Sequence, residues 1–217
     1  MNAAKATVEK ERNQRSILLP QDARAMQGVW LFLGALAIFF VSSILLYVVY
    51  IAMRLSPGTS DKPHSFYLPK SFVPSTLLLV GISGALEWAL RAAKRDRNTE
   101  VKRATIAAFV LGMLFMMVQS EGMVRLVSVS TGVVSQGNSA YALTFVLAFL
   151  HALHVVGGLI GLVSTMFNAH RDKYDHERYF GLRFCTLYWH FLDVVWVFLI
   201  LAFLVSGWLI NGNNIAS

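Results

Sequence analysis

Five long apolar segments dominate the chain, and short polar stretches separate them. The apolar residues follow one another without the alternation of a half-buried strand, and each segment reaches the roughly 20 residues that a helix needs to cross a bilayer. The pattern predicts transmembrane helices over about 28–53, 72–93, 104–124, 140–168 and 184–210. We therefore expect an all-α integral membrane bundle of five helices.

The polar stretches are too short to form a second folded domain. Residues 28–210 are predicted to be a single five-helix transmembrane domain, with a polar segment over 1–27 before it and a short tail over 211–217 after it. The first apolar run is far longer than the hydrophobic region of a signal peptide, so we expect it to remain as a membrane span.

Composition and charge placement agree with a membrane protein. The chain has 217 residues, of which 56% are hydrophobic and only 14% are charged, which is too apolar for a soluble domain. The net charge is +7, but 15 of the 19 Lys and Arg residues lie in the N-terminal segment or around the linkers that follow the second and fourth spans. By the positive-inside rule, this asymmetry predicts a cytoplasmic N-terminus and an outer C-terminus. It also argues against a nucleic-acid-binding role.

A few polar side chains interrupt the spans. An ionisable group at the centre of a membrane helix costs about 2.5–3.5 kcal/mol on insertion scales, so each one needs a structural or functional reason. The candidates for buried polar, structural or lipid-contacting roles are Glu87, Gln119, Glu121, His151, His154, Trp189, His190, Asp193 and Trp196.

The fourth span contains FLHALHVVGGLIG, which places His151 and His154 at positions i and i+3 on one helix face. Its glycines allow a neighbouring helix to approach closely, so Gly157, Gly158 and Gly161 are predicted to form a helix-packing surface. A haem or metal site is the alternative. It is disfavoured because no histidine pair at i and i+4, and no cluster with cysteine or carboxylate, completes a set of ligands.

The fifth span places Trp189, Asp193 and Trp196 at positions i, i+4 and i+7, with His190 beside them. This spacing favours a hydrogen-bonded cluster in which an imidazole or indole N–H pairs with Asp193 and the aromatic face packs on a neighbouring helix. A proton relay is the alternative, and the spacing alone does not separate the two.

Helix depth suggests partners for the two glutamates. Counting 1.5 Å per residue from the inner ends of the third and fourth spans puts Glu121 and His151 at a similar depth, so we predict that they are in contact. By the same count, Glu87 lies near the inner surface, where its partner is either His190 or Arg91.

Segments of all five spans together resemble subunit III of the haem-copper oxidases, in its short bacterial five-helix form. The combination of a YWHFxDVVW motif with HxLHVxGG is specific to that family. The matching segments, in chain order, are GVWLFLGALAIFF, STLLLVGISGALEWAL, LGMLFMMVQSE, FLHALHVVGGLIGL and YWHFLDVVWVFL.

The resemblance implies a non-catalytic subunit of a respiratory terminal oxidase that reduces oxygen to water and translocates protons across the bacterial cytoplasmic membrane. Such a subunit binds no haem, copper or other metal, since these centres belong to partner subunits. It packs mainly against catalytic subunit I, assembles also with subunit II, holds structural phospholipid and supports proton uptake. The polar residues of the spans would then fix helix packing or contact lipid.

Two positions depart from the family pattern. Where the family often carries a buried glutamate in the first span, this chain has Leu36, so a proton-related role of that glutamate cannot be transferred. The third span of the family tends to read QxxE, whereas Gln119 and Glu121 are two residues apart here, which turns the acid by about 100° around the helix.

Three other functions fit parts of the sequence. The chain could be the accessory subunit of a quinol oxidase or of a nitric oxide reductase, which use the same helper fold. It could be a small proton or solute transporter that works alone, with its buried acids along a water-filled path. The third alternative is a haem protein with two histidine ligands, and in that case the isolated chain would be coloured.

Overall fold

The computed structural model describes residues 2–56, 72–134, 139–171 and 180–216, and all regular structure in these ranges is α-helical. The five helices are α1 (Asn2–Arg54), α2 (Phe72–Ala93), α3 (Asn98–Val134), α4 (Ser139–His170) and α5 (Phe180–Ala216).

Each helix contains a segment that is long and apolar enough to cross a membrane, which confirms the predicted all-α, five-span fold. The helices are longer than the predicted spans, because a helix satisfies its backbone hydrogen bonds internally and can continue through charged sequence beyond the bilayer. The spanning segments are Arg24–Arg54, Pro74–Ala93, Asn98–Arg125, Ala142–His170 and Phe180–Gly212.

The chain divides into two compact units, Met1–Ile38 and Phe39–Ser217. The first unit is one length of helix α1. In the second unit, α2 packs against α3 and α5, and α4 also packs against α3 and α5. Helices α2 to α5 therefore form a closed ring of contacts around one core, which we call the helix ring.

A tight connection joins α2 to α3. Asp96 adopts a left-handed backbone conformation with φ of 54°, which aspartate tolerates better than most residues. The backbone N–H of Arg97 donates to the carbonyl oxygen of Ala92 at 3.0 Å, so it satisfies one of the last carbonyls of α2. This turn brings α3 directly back against α2.

Candidate functional site

Trp196, one of the residues predicted from the sequence, is fully buried in the core of the helix ring. Its indole N–H donates to the Thr76 hydroxyl on α2 at 3.1 Å. The ring meets Phe72 edge-on at a centroid distance of 5.3 Å and Phe115 at 6.1 Å. Trp196 thus joins three helices at a single point.

His151 also contacts the Trp196 ring. It is completely buried, and its imidazole stacks on the Trp196 indole at a centroid distance of 5.0 Å and an angle of 24°. The Phe40 ring approaches it edge-on at 6.3 Å. Neither ring nitrogen has a hydrogen-bond partner among the described residues.

His154 lies one turn further along α4 but has a different environment. It is half-buried, and its ring meets Phe40 edge-on at 4.9 Å. Its Nδ1 is 2.7 Å from the carbonyl oxygen of Leu150, and the hydroxyl of Tyr188 donates to the backbone carbonyl of His154 at 2.9 Å. The backbone carbonyl of His154 therefore links α4 to α5, whereas its imidazole contacts its own helix.

Asp193 is paired with α2, and not with an imidazole or indole group as the sequence suggested. The hydroxyl of Ser83 donates to Asp193 Oδ2, which links α2 to α5. The prediction was wrong because helix spacing gives the face of Asp193 but not the side chain that a neighbouring helix places opposite it. The second carboxylate oxygen, Oδ1, is buried and has no partner in the described part of the chain.

The predicted contact between Glu121 and His151 is wrong. The Glu121 side chain is 60% exposed and accepts a hydrogen bond from Arg125 at 2.6 Å. Gln119 is the buried residue of this segment, with 1% of its surface exposed. Two residues correspond to about 200° of helix rotation, so Gln119 and Glu121 point in nearly opposite directions even though they lie at similar depth.

The other predicted positions, Glu87, Trp189 and His190, differ in how deeply they are buried. Glu87 accepts a hydrogen bond from Arg91 at 3.0 Å, so of its two predicted partners the structure shows Arg91. His190 is half-buried, whereas its neighbour Trp189 is fully buried.

The glycines of α4 differ in what they face. A Cβ atom added at Gly158 would lie 3.2 Å from both the Trp189 and the Tyr188 rings, which is closer than most Cβ contacts in proteins. One added at Gly157 would be 3.5 Å from the Tyr188 hydroxyl, an ordinary contact. One added at Gly161 would meet no described atom within 4 Å. Gly158 is therefore the glycine on which α5 packs closely, and the predicted packing role of Gly161 finds no contact among the described residues.

Replacing Gly158 by alanine should lower stability by about 1–2 kcal/mol relative to Gly161→Ala. Both changes bring the same gain in helix propensity, so only the crowding against Trp189 and Tyr188 distinguishes them. Thermal unfolding of the two purified variants measures the difference. Equal midpoints would show that α5 moves aside at no cost.

Several residues that position this site were not identified from the sequence. Thr76 and Ser83 lie seven residues apart on α2, and this spacing is the signal that could have placed both on one face. Tyr47 on α1 contacts the Thr144 hydroxyl at 3.2 Å and meets Phe203 edge-on at 5.5 Å. Single serine, threonine and tyrosine residues are common in membrane helices, so without the fold they carry little information.

A metal centre needs several donor side chains at one point. Within residues 2–56, 72–134, 139–171 and 180–216, no three His, Cys, Asp or Glu side chains come together as ligands for one ion. His151, the most deeply buried of the histidines, has one ring face covered by Trp196 and a second neighbour in Phe40. A haem placed on His151 would have to displace these rings.

Comparisons with known proteins agree with the resemblance seen in the motifs. Residues 24–208 match the family described as Cytochrome c oxidase subunit III. The "Probable cytochrome c oxidase subunit 3" of Mycobacterium tuberculosis is 29% identical over 172 residues, which cover 78% of this chain and 82% of that protein. The "Cytochrome bo(3) ubiquinol oxidase subunit 3" of Buchnera aphidicola is 25% identical over 177 residues, covering 82% of this chain and 89% of that protein.

Proposed function

Because the chain belongs to the cytochrome c oxidase subunit III family, we propose that it acts as a non-catalytic subunit of a haem-copper terminal oxidase that reduces oxygen to water. The observation that carries this proposal is the family match over residues 24–208, which includes all but the last few residues of the five spanning segments. The chain is thus a multi-pass membrane protein and a component of a multi-subunit oxidoreductase complex.

In the finer proposal, the haem and copper centres lie in partner subunits and perform the electron transfer and oxygen chemistry. This chain contacts subunit I as its main partner and assembles also with subunit II. It stabilises subunit I during turnover, supports proton uptake and contacts structural phospholipid. Many large apolar side chains on the helices are exposed, including Leu31, Leu77, Met117, Ile160 and Trp208, and such surfaces fit lipid or the helices of other subunits.

The proposed location is the bacterial cytoplasmic membrane, with the N-terminus inside. The excess of Lys and Arg in the N-terminal segment and near the second and fourth linkers supports this orientation. The similarity to mycobacterial proteins named as oxidase subunits supports a bacterial membrane.

A quinol oxidase is the second candidate for the complex. The similarity to a subunit of a ubiquinol oxidase from Buchnera aphidicola favours it specifically. The chain lacks the first-span glutamate found often in the family and has Leu36 at that position, so its support of proton uptake would differ from that of glutamate-containing relatives.

The test is to tag this chain, extract it in mild detergent and record the reduced-minus-oxidised spectrum of the purified material. Haem bands that travel with larger partner chains, and are lost when this chain is purified alone, are the expected result. The haem types then distinguish a cytochrome c oxidase from a quinol oxidase. A colourless protein without partners, or colour in the isolated chain, would contradict the proposal.

Replacing Asp193 by alanine should reduce the amount of haem-containing subunits that co-purify by about two-fold or more, because the link between α2 and α5 is lost. Turnover per assembled complex should stay unchanged. Haem content per tagged chain and oxygen consumption per haem measure the two effects separately. An intact complex with little turnover would show that Asp193 takes part in catalysis.

A further inference from the structure

Two of the most deeply buried polar side chains in the helix ring lack hydrogen-bond partners within the described part of the chain. They are Gln119 on α3 and His151 on α4, with 1% and 0% of their surfaces exposed. Both amide atoms of Gln119 and both ring nitrogens of His151 are buried without a partner. An uncharged imidazole has one donor and one acceptor, and an amide has both kinds of group, so each side chain can serve a molecule that donates and accepts.

The packing of α3 on α4 places these side chains at one level. The two consecutive helices pack against each other, and Gly112 of α3 faces Leu159 of α4, where an added Cβ would lie 2.7 Å from the leucine side chain. Gln119 follows Gly112 by seven residues, and His151 precedes Leu159 by eight. In antiparallel helices these steps run in the same direction and cover about 10.5 and 12 Å.

The same steps keep both side chains on the inner face. Seven residues fall about 20° short of two turns and eight fall about 80° beyond them, so Gln119 lies on the face of Gly112 and His151 lies next to the face of Leu159. The aromatic contacts agree with this. His151 stacks on Trp196, and Phe115, one turn before Gln119, meets the same indole at 6.1 Å.

We propose that one water molecule bridges the Gln119 amide and the His151 imidazole inside the helix ring. Water is the smallest molecule that donates and accepts at once, and buried waters typically satisfy two to four polar groups of this kind. The α4 residues Ala148 and Ala152, which flank His151 in the chain, are buried and have small side chains. The water would pair with one ring nitrogen of His151 and one atom of the Gln119 amide, which are two of the four buried groups without a described partner.

The bridge also explains why α3 carries glutamine at the buried position and leaves the acid of the segment at the surface. A carboxylate at position 119 would bring a charge into a site that holds no described cation, whereas an amide forms the same hydrogen bonds without one. The water would join α3 to α4 at the level where His151 already packs on α5.

A map of the complex that co-purifies with the full-length chain, at a resolution that shows ordered water, tests this directly. We expect a density peak at about 2.7–3.2 Å from a His151 ring nitrogen and from an atom of the Gln119 amide. A direct hydrogen bond between the two side chains, or apolar packing that fills the space between them, would overturn the proposal.

Variants of the same chain provide a second measurement. Gln119→Met and His151→Phe keep the side-chain size and the stacking on Trp196 but remove the polar atoms. Each should lower the thermal midpoint by about 2–10 °C, and the double variant should lose clearly less than the sum. Glu121→Gln, an exposed change two residues from Gln119, is the matched control and should leave the midpoint unchanged. Additive losses, or single variants as stable as the parent chain, would rule out a shared water.

Discussion

Replacing Trp196 by alanine is expected to cost about 3–5 kcal/mol of stability, the largest effect of any single substitution considered for this chain. The side chain is fully buried and contacts Phe72, Phe115 and His151, and its N–H donates to Thr76. Membrane helices associate mainly through close packing and interhelical hydrogen bonds, so a cavity at this point weakens three helix contacts together.

Trp208→Ala is the matched control for this change. It removes the same side chain from the same helix, but Trp208 is 76% exposed. Its loss leaves no internal cavity, so a much smaller change in stability is expected. Thermal unfolding of the two purified variants, in the same detergent and with the same partners bound, provides the comparison. Similar losses would show that Trp196 does not hold the core together.

Trp196→Phe separates packing from hydrogen bonding. The phenyl ring retains part of the contact with Phe72 and His151 but cannot donate to Thr76. We expect a loss of stability smaller than that of Trp196→Ala, because Thr76 also bonds to the backbone carbonyl of Phe72 at 2.8 Å and so keeps one partner.

Replacing Ser83 by alanine is expected to have the second largest effect, a loss of about 2 kcal/mol of stability. Ser83 is buried and donates to Asp193 Oδ2, and the other carboxylate oxygen already lacks a partner within the described residues. Without the hydroxyl, Asp193 would be left inside the helix ring with neither oxygen paired. Leaving a buried group unpaired costs more than removing both members of a pair.

The double variant Ser83→Ala/Asp193→Leu tests this reason. Leucine has a similar shape to aspartate but no polar atoms, so the double variant should be more stable than Ser83→Ala alone. Ser164→Ala is the control, since Ser164 is exposed and its hydroxyl bonds to the carbonyl of Ile160 in its own helix. Unfolding midpoints of the purified variants measure all three. A double variant less stable than Ser83→Ala would contradict the assigned pair.

The sequence only partly predicted where the polar side chains of the third span lie. The two-residue separation of Gln119 and Glu121 implied that the acid is rotated relative to the family pattern, and the structure places Glu121 at the surface with Arg125. Because Glu121 and His151 lie at a similar depth, the sequence nevertheless suggested that they are in contact. Depth follows from residue counting, whereas the direction of a side chain depends on how the whole helix is rotated against its neighbours.

The sequence by itself determined the five membrane helices, the all-α fold and the family, because apolar length is matched to bilayer thickness and the motifs are contiguous in the chain. It also identified Trp196, His151 and Asp193 as unusual. Only the tertiary structure decided that Asp193 pairs with Ser83 and that Gly158, not Gly161, receives α5. Such contacts join residues far apart in the chain, and they depend on the rotation and axial shift of each helix, which hydropathy leaves undefined.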